Sequence, residues 1–172
     1  MNDLLARWNM LEREEAAREI LPCCGARAWA NAMARRRPFV DVAVLLEVSR
    51  EIWRGLSAAD WMEAFRSHPR IGGSSAAVAP TATTKSREWS SEEQRNVSEG
   101  DDAMKVALAE GNRAYEARFG RIFIVCATGK SPNEILRILR RRLQNDEAAE
   151  MREAADEQQR ITQIRLRKWL GE

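Results

Sequence analysis

The stretch Ile122-Phe123-Ile124-Val125-Cys126-Ala127 decides the fold class of this protein, because it is the only run in the sequence that is strongly typical of a β-strand. A lone strand has no partner with which to form a sheet, so the run predicts a buried extended segment. Ser131-Pro132-Asn133-Glu134 then shows a helix start, with a capping serine, a proline at the first position and an acid at the third. The sequence therefore predicts an all-α fold, a single-domain helical bundle with one buried extended segment near 122–127.

Apolar residues at helical spacing continue on both sides of this segment. They predict helices over about 26–36 and 41–53, and a long final helix over about 146–170. Residues 22–25, Pro-Cys-Cys-Gly, predict a break between helices. Ser90-Ser91-Glu92-Glu93 matches a capping box, in which the serine and the glutamate bond to each other's backbone N–H, and so predicts a helix start.

Length and composition indicate a globular protein without an obvious charged partner. The chain has 172 residues, of which 44% are hydrophobic and 31% charged, so we expect one domain over 1–172. The net charge of +2 argues against a nucleic acid or an anionic membrane as partner. No secretory pattern appears in residues 1–15, and Cys23, Cys24 and Cys126 make a poor disulfide framework, so we expect a reducing cytoplasm.

His68 is the first candidate for chemistry, because it is the only histidine in the chain. Imidazole titrates near neutrality and can accept or donate a proton under mild conditions. Its place just after a predicted helix, with Pro69 next, would hold it at a structured edge. The structural alternative is a histidine that makes one hydrogen bond and does no chemistry.

Glu93 and Arg165 are the other candidates, and each also has a structural alternative. Glu93 fits the third position of a capping box, but a carboxylate there could also orient an imidazole or a water. Arg165 is either one more solvated arginine or, if it faces a cleft, a clamp for a carboxylate. The run Arg137, Arg140, Arg141 and Arg142 is surrounded by acids and has no interleaved aromatics, so we expect a solvated face and no RNA site.

Four motifs occur in the order and at the distances found in one known family. They are His68-Pro69-Arg70-Ile71-Gly72-Gly73, then Ser90-x-x-Glu93-Gln94, then Tyr115-x-x-Arg118-Phe119-Gly120 leading into the extended segment, and finally Ile161-x-x-Ile164-Arg165-Leu166. In these motifs the chain resembles the 2-oxo-4-hydroxy-4-carboxy-5-ureidoimidazoline (OHCU) decarboxylases of urate breakdown. The chain departs from the family at Arg121-Ile122, where Phe-Pro is frequent, and in the loop predicted over 74–86.

The resemblance implies an all-helical homodimer that needs no metal and no organic cofactor and converts OHCU to (S)-allantoin. It places the catalytic residues at His68 and Glu93. It places the substrate contacts at Pro69, Ser90, Gln94, Phe123, Ile124, Val125, Cys126, Ala127 and Arg165. In the extended segment the contacts would come from the backbone.

The implied chemistry suits a site without a cofactor. The carboxylate of OHCU is on a carbon that bears a hydroxyl and adjoins a ring C=N, and this C=N can accept the electrons that carbon dioxide leaves behind. We therefore expect His68 to act as general acid/base at the hydroxyl, and Glu93 to orient the imidazole or the ureido group. Two alternatives remain: a non-catalytic helical interaction module, and a lyase acting on a related ureido-heterocycle.

Overall fold

The computed structural model describes residues 2–72, 83–95 and 101–172 of the chain, and its regular elements there are all α-helices. Numbered in chain order, they are α1 (Asp3–Asn9), α2 (Arg13–Cys24), α3 (Arg27–Arg35), α4 (Val42–Arg54), α5 (Ala58–Arg66), α6 (Thr84–Glu93), α7 (Asp102–Phe119), α8 (Pro132–Arg142) and α9 (Glu147–Trp169). The prediction of an all-α fold is confirmed. Most of the loop predicted over 74–86 lies outside the described residues, and the helix from Thr84 takes up its end.

The chain divides into two compact units. The first comprises Met1–Ala64 and Gln159–Glu172, and the second comprises Phe65–Gln158. None of the described helices is long and apolar enough to cross a bilayer.

The first unit is built around tryptophan side chains. Trp8 stacks on Phe39 with ring centroids 6.0 Å apart and meets Trp169 edge-on at 5.4 Å. Arg37 lies over the Trp8 ring at 5.2 Å, and its Nη1 donates to the carbonyls of Trp8 at 2.6 Å and Leu11 at 2.8 Å. The Trp8 carbonyl lies in the last turn of α1 and the Leu11 carbonyl just beyond it, so one guanidinium both covers an aromatic ring and satisfies the open end of a helix.

The break predicted at 22–25 is wrong for Pro22, because α2 runs through this proline to Cys24. The helix ends at Gly25, whose φ is +89° and whose N–H donates to the Leu21 carbonyl at 2.8 Å. Glycine adopts this left-handed conformation without a Cβ penalty, so the end of the helix is set by Gly25. Pro22 has no N–H to donate to the Arg18 carbonyl, and the helix continues for only two residues beyond it.

The second unit has an aromatic core beside the extended segment. Tyr115 lies 4.8 Å from Phe119 and 5.3 Å from Phe123, measured between ring centroids. Gly111 lets α7 and α8 approach closely, since a Cβ there would lie 2.5 Å from Cδ2 of Leu139. The segment predicted near 122–127 has no helical or strand structure, and Phe123–Ala127 are all buried, so this prediction is confirmed.

Two further helix features test the sequence analysis. The capping box at the start of α8 is confirmed, because the Ser131 side chain accepts from the Glu134 N–H and the Glu134 carboxylate accepts from the Ser131 N–H. The expectation of a solvated arginine face is wrong for Arg142, which is fully buried and paired with Glu150. Arg142 lies at helical spacing from the buried apolar residues of α8, so its side chain is on the buried face. The buried carboxylate of Glu150 neutralises its charge.

Candidate active site

His68 is a buried residue at the end of α5. Its backbone N–H donates to the Phe65 carbonyl at 3.2 Å, and the residue is 7% exposed. Nε2 of its ring lies 2.7 Å from Oε1 of Gln158, a fully buried side chain of α9. The ring therefore has a defined orientation inside the second unit, as a proton-transfer group requires.

The turn after His68 is tied to α7 and α6. The carbonyl of Ile71 accepts from Nδ2 of Asn112 at 2.9 Å, and the guanidinium of Arg70 pairs with Glu116, with Nη2 to Oε2 at 2.7 Å. The N–H of Gly72 donates to Oε1 of Gln94 at 3.2 Å. Gln94, a predicted substrate contact, is thus brought to the turn that carries His68. Pro69, a second predicted contact, is partly exposed within it.

The backbone of the extended segment is fixed by charged side chains. Nη1 of Arg142 donates to the Ile124 carbonyl, and Nζ of Lys130 to the Cys126 carbonyl, each at 2.6 Å. The Cys126 N–H donates to Oε2 of Glu157 at 2.7 Å. Within the described ranges, no hydrogen bond takes up the N–H of Val125.

Neighbouring residues of α9 hold the two parts of the candidate site. Glu157 accepts from the Cys126 N–H, and Gln158 contacts the imidazole of His68. Both side chains are buried, so their polar atoms need partners within the protein, and these contacts supply some of them. The segment and the imidazole are thereby attached to consecutive positions of one helix.

The prediction that Ser90 opens a helix as a capping box with Glu93 is wrong. α6 begins at Thr84, and the Thr83 side chain accepts from the Ser86 N–H as its cap. An earlier cap therefore takes over the helix start, and this places Ser90 in the helix interior, where it is 2% exposed. Glu93 is the last residue of α6, so the capping explanation for its carboxylate no longer applies.

The electrostatics of Cys126 connect Glu93 to the extended segment. Burial is the main cause that raises the pKa of the Cys126 thiol, and Lys130 opposes it by favouring the thiolate. The negative charges of Glu157 and Glu93 both raise this pKa further. Two carboxylates thus act on the same part of the segment, and they keep the thiol of Cys126 protonated and unsuited to nucleophilic attack.

Arg165 lies in the first unit and is described there by itself. It is fully buried, with Nη1 3.5 Å from the Pro22 carbonyl. Burial raises the pKa of the neighbouring Cys24 thiol to about 12, although Thr162 and Arg165 pull it down. The alternative of a solvated arginine is therefore wrong, and its contact with a substrate stays a prediction.

Gln158, Glu157 and Asn112 are site residues that the sequence analysis missed. The sequence alone carries little signal for them: Glu150, Ala154 and Gln158 lie at four-residue spacing on one helix face, but the structure is needed to show that all three are fully buried. Polar residues that keep step with buried alanines on one helix face point to a polar interior, not to solvent. Among residues 2–72, 83–95 and 101–172, no group of three or more His, Cys, Asp or Glu side chains is placed to hold a metal ion.

Known proteins match both the sequence and the fold. Residues 9–167 match the OHCU decarboxylase family. The uric acid degradation bifunctional protein TTL of Arabidopsis thaliana is 34% identical over 148 residues, which are 85% of this chain and 44% of the relative. The chain thus spans less than half the length of that two-function protein. The OHCU decarboxylase of Amia calva is 29% identical over 86% of this chain and 80% of its own length.

A solved structure agrees with this assignment. The crystal structure of an OHCU decarboxylase in the presence of (S)-allantoin superposes with a TM-score of 0.76 at 30% sequence identity. The match covers 90% of this chain and 99% of that one. The family match runs through nearly the whole sequence, the fold is shared, and the motifs around His68 and Glu93 are built into one unit. The chain therefore belongs to the OHCU decarboxylase family.

Proposed function

We propose that the protein decarboxylates OHCU to (S)-allantoin in urate degradation. The observation that carries this proposal is the buried imidazole of His68, held at Nε2 by Gln158 in the unit that also contains the extended segment. This reaction needs a proton-transfer group and rigid polar donors, and this unit contains both an imidazole and an extended backbone. The names of the relatives from Arabidopsis thaliana and Amia calva support the substrate.

The reaction balances without an external redox partner. The bond from the hydroxyl-bearing carbon to the carboxylate breaks and carbon dioxide leaves. The electron pair moves toward the adjacent C=N, whose nitrogen takes one proton from the medium. The resulting enol loses its hydroxyl proton and becomes a carbonyl, while the neighbouring carbon takes a proton on one face and becomes the chiral centre of allantoin. The substrate itself accepts the electrons, so we propose that no cofactor is required.

We assign the proton steps to His68 and the orientation of the substrate to its neighbours. His68 would take the hydroxyl proton as general base and return a proton as general acid. Gln158 already contacts Nε2 of the imidazole, and this favours the ureido group as the target of Glu93. Arg165 would engage a substrate oxygen, since its planar fork matches a carboxylate and it is a permanent cation.

The remaining predicted contacts would shape the pocket. We propose that they are the side chains of Pro69, Ser90 and Gln94 and the backbone of Phe123, Ile124, Val125, Cys126 and Ala127. Backbone donors suit a polar heterocycle because they are rigid and carry no charge that would need neutralising. The N–H of Val125, which no hydrogen bond takes up among the described residues, supports this role.

We further propose a cytoplasmic homodimer of one-domain subunits that acts on a small molecule and binds no nucleic acid or membrane. Cys23, Cys24 and Cys126 are buried and form no disulfide, which is typical of a reducing compartment. In the basic run of α8, Arg141 pairs with Glu153 and Arg142 with Glu150, so these cations are not available to phosphates. Met10 and Val40 of the first unit are exposed apolar side chains that a second subunit could cover.

The test is turnover of freshly generated OHCU by the wild-type chain and by His68→Asn. We expect the variant to consume OHCU at least about 10²-fold more slowly, while its far-UV circular dichroism and unfolding midpoint match the wild type. A His68→Asn protein that turns over normally contradicts the proposed role of His68. A wild-type chain that leaves OHCU at the uncatalysed rate favours the non-catalytic alternative.

A further inference from the structure

The amide of Gln158 is placed with its oxygen toward Nε2 of His68, and this contact bears on which nitrogen of the imidazole carries the proton. Nε2 of the ring lies 2.7 Å from Oε1 of the amide, and both side chains are buried. An amide oxygen accepts hydrogen bonds and cannot donate them. The contact is therefore a hydrogen bond only when Nε2 is protonated, in the neutral ring as in the imidazolium.

Both partners of this hydrogen bond are held from outside it. The backbone N–H of His68 donates to the Phe65 carbonyl. In the turn after it, the Ile71 carbonyl accepts from Nδ2 of Asn112 on α7. On α9, the residue before Gln158 is Glu157, whose carboxylate accepts from the Cys126 N–H. The amide and the ring thus meet because their backbones are fixed independently, and neither side chain is positioned by bulk water.

We propose that Gln158 is the positioning residue of the reaction: its amide oxygen holds the Nε2 proton of His68, so the neutral imidazole accepts a substrate proton at Nδ1. This proposal rests on the proposed decarboxylase function. Gln158 does not exchange protons itself, since an amide does not titrate in the working range. It acts through His68 by selecting one tautomer and one ring orientation.

The tautomer matters because a base in the wrong form has no lone pair where the substrate proton arrives. A general base must present that lone pair at hydrogen-bond distance from the proton it removes. With Nε2 bonded to Gln158, only Nδ1 of the neutral ring carries a lone pair in the ring plane. Removal of the amide oxygen frees the proton to move between the two nitrogens, so turnover falls even when the fold is intact.

The chain offers a direct measurement because it contains a single histidine. A tag-free protein labelled with ¹⁵N-histidine gives one pair of ring nitrogen signals, and protonated and unprotonated ring nitrogens differ strongly in chemical shift. At alkaline pH, where the ring is neutral, we expect a protonated Nε2 and an unprotonated Nδ1 in the wild type. A neutral ring with its proton on Nδ1 overturns the proposal without any variant being made.

Substitutions then connect the tautomer with catalysis. Gln158→Met keeps an unbranched side chain but removes the acceptor, and we expect kcat to fall at least about 10-fold with a much smaller change in KM. The ring nitrogen signals should shift toward a mixture of tautomers. Gln158→Glu restores an oxygen acceptor, so the proton should return to Nε2 and kcat should exceed that of the Met variant. Gln159→Met is the matched control, because it makes the same change one position along α9.

The outcomes separate this proposal from the proposed function. Two outcomes contradict only the role of Gln158. The first is a wild-type chain that decarboxylates OHCU although Nε2 is unprotonated in the neutral ring. The second is a folded Gln158→Met variant with wild-type kcat and unchanged ring nitrogen signals. A wild-type chain with Nε2 protonated that leaves OHCU untouched contradicts the function instead. If Gln158→Met does not fold, the spectrum of the wild type still decides the tautomer, and Gln158→Glu decides the effect on kcat.

Discussion

Arg142 and Glu150 form an ion pair that is completely enclosed by protein. Nε and Nη2 of Arg142 both donate to Oε1 of Glu150, at 2.9 Å and 2.5 Å, and neither side chain is exposed. The hydroxyl of Tyr115 donates to the same oxygen at 2.5 Å. Nη1 of the same guanidinium donates to the Ile124 carbonyl, so a buried charge pair anchors the extended segment.

Arg142→Met should be strongly destabilising, since it leaves the carboxylate of Glu150 buried without its cation. We expect the free energy of unfolding to fall by about 3–5 kcal/mol in urea denaturation. Arg36→Met is the control, because Arg36 and Glu51 form an exposed pair, with side chains 54% and 61% exposed, and its loss should cost less than about 1 kcal/mol. If both variants lost the same free energy of unfolding, the enclosed pair would contribute no more to stability than the exposed one.

Glu93→Gln distinguishes a site carboxylate from a structural one. If Glu93 capped a helix, its loss would lower the free energy of unfolding by about 1 kcal/mol. Glu93 is instead the last residue of α6, where a negative charge interacts unfavourably with the helix dipole. We therefore expect unchanged or slightly higher stability, with OHCU turnover lowered at least about 10-fold. Glu92→Gln removes the same charge from the adjacent exposed position and should leave turnover unchanged. Loss of stability with normal turnover would return Glu93 to a structural role.

Cys24 predicts a loss of stability at alkaline pH. Burial raises the pKa of its thiol from an ordinary 9.0 to about 12, so above 9.0 the unfolded chain releases a proton that the folded chain retains. Stability due to this thiol is fully present below 9.0 and is lost as the pH rises toward 12, by about 1.4 kcal/mol per pH unit.

The measurement is the free energy of unfolding of the wild type and of Cys24→Ala between about pH 8 and about pH 11. The variant has a constant cost from its cavity, so the slope against pH is the diagnostic quantity and not the absolute value. We expect a shallower alkaline decline in Cys24→Ala. Parallel declines in the two proteins would mean that the thiol titrates alike in the folded and unfolded chains.

Features that depend on local backbone chemistry could be predicted from the sequence. The capping box of Ser131 with Glu134 requires only a serine and an acid three residues apart, and it forms as expected. The lone apolar run at 122–127 predicts its own burial, because nothing else in the chain can pair with it as a strand. Pairs of residues close in sequence therefore determine much of the helical architecture.

Competition between signals explains what could not be predicted. Ser90 and Glu93 have capping-box spacing, but Thr83 caps the same helix two turns earlier, so the later signal falls inside a helix that is already formed. Gln158 belongs to the candidate site only because the chain brings it to His68, 90 positions away in sequence. A local pattern carries no information on a contact of that range.

The stereochemistry of the product tests the central claim most directly, because a positioned imidazole must deliver its proton to one face of the substrate. OHCU would be generated enzymatically in the presence and absence of the chain, and the circular dichroism of the allantoin formed would be followed over time. With the chain present, we expect a circular dichroism signal of one sign, that of (S)-allantoin. We also expect allantoin to form faster than it does without the chain. Racemic allantoin formed at the uncatalysed rate would contradict the account.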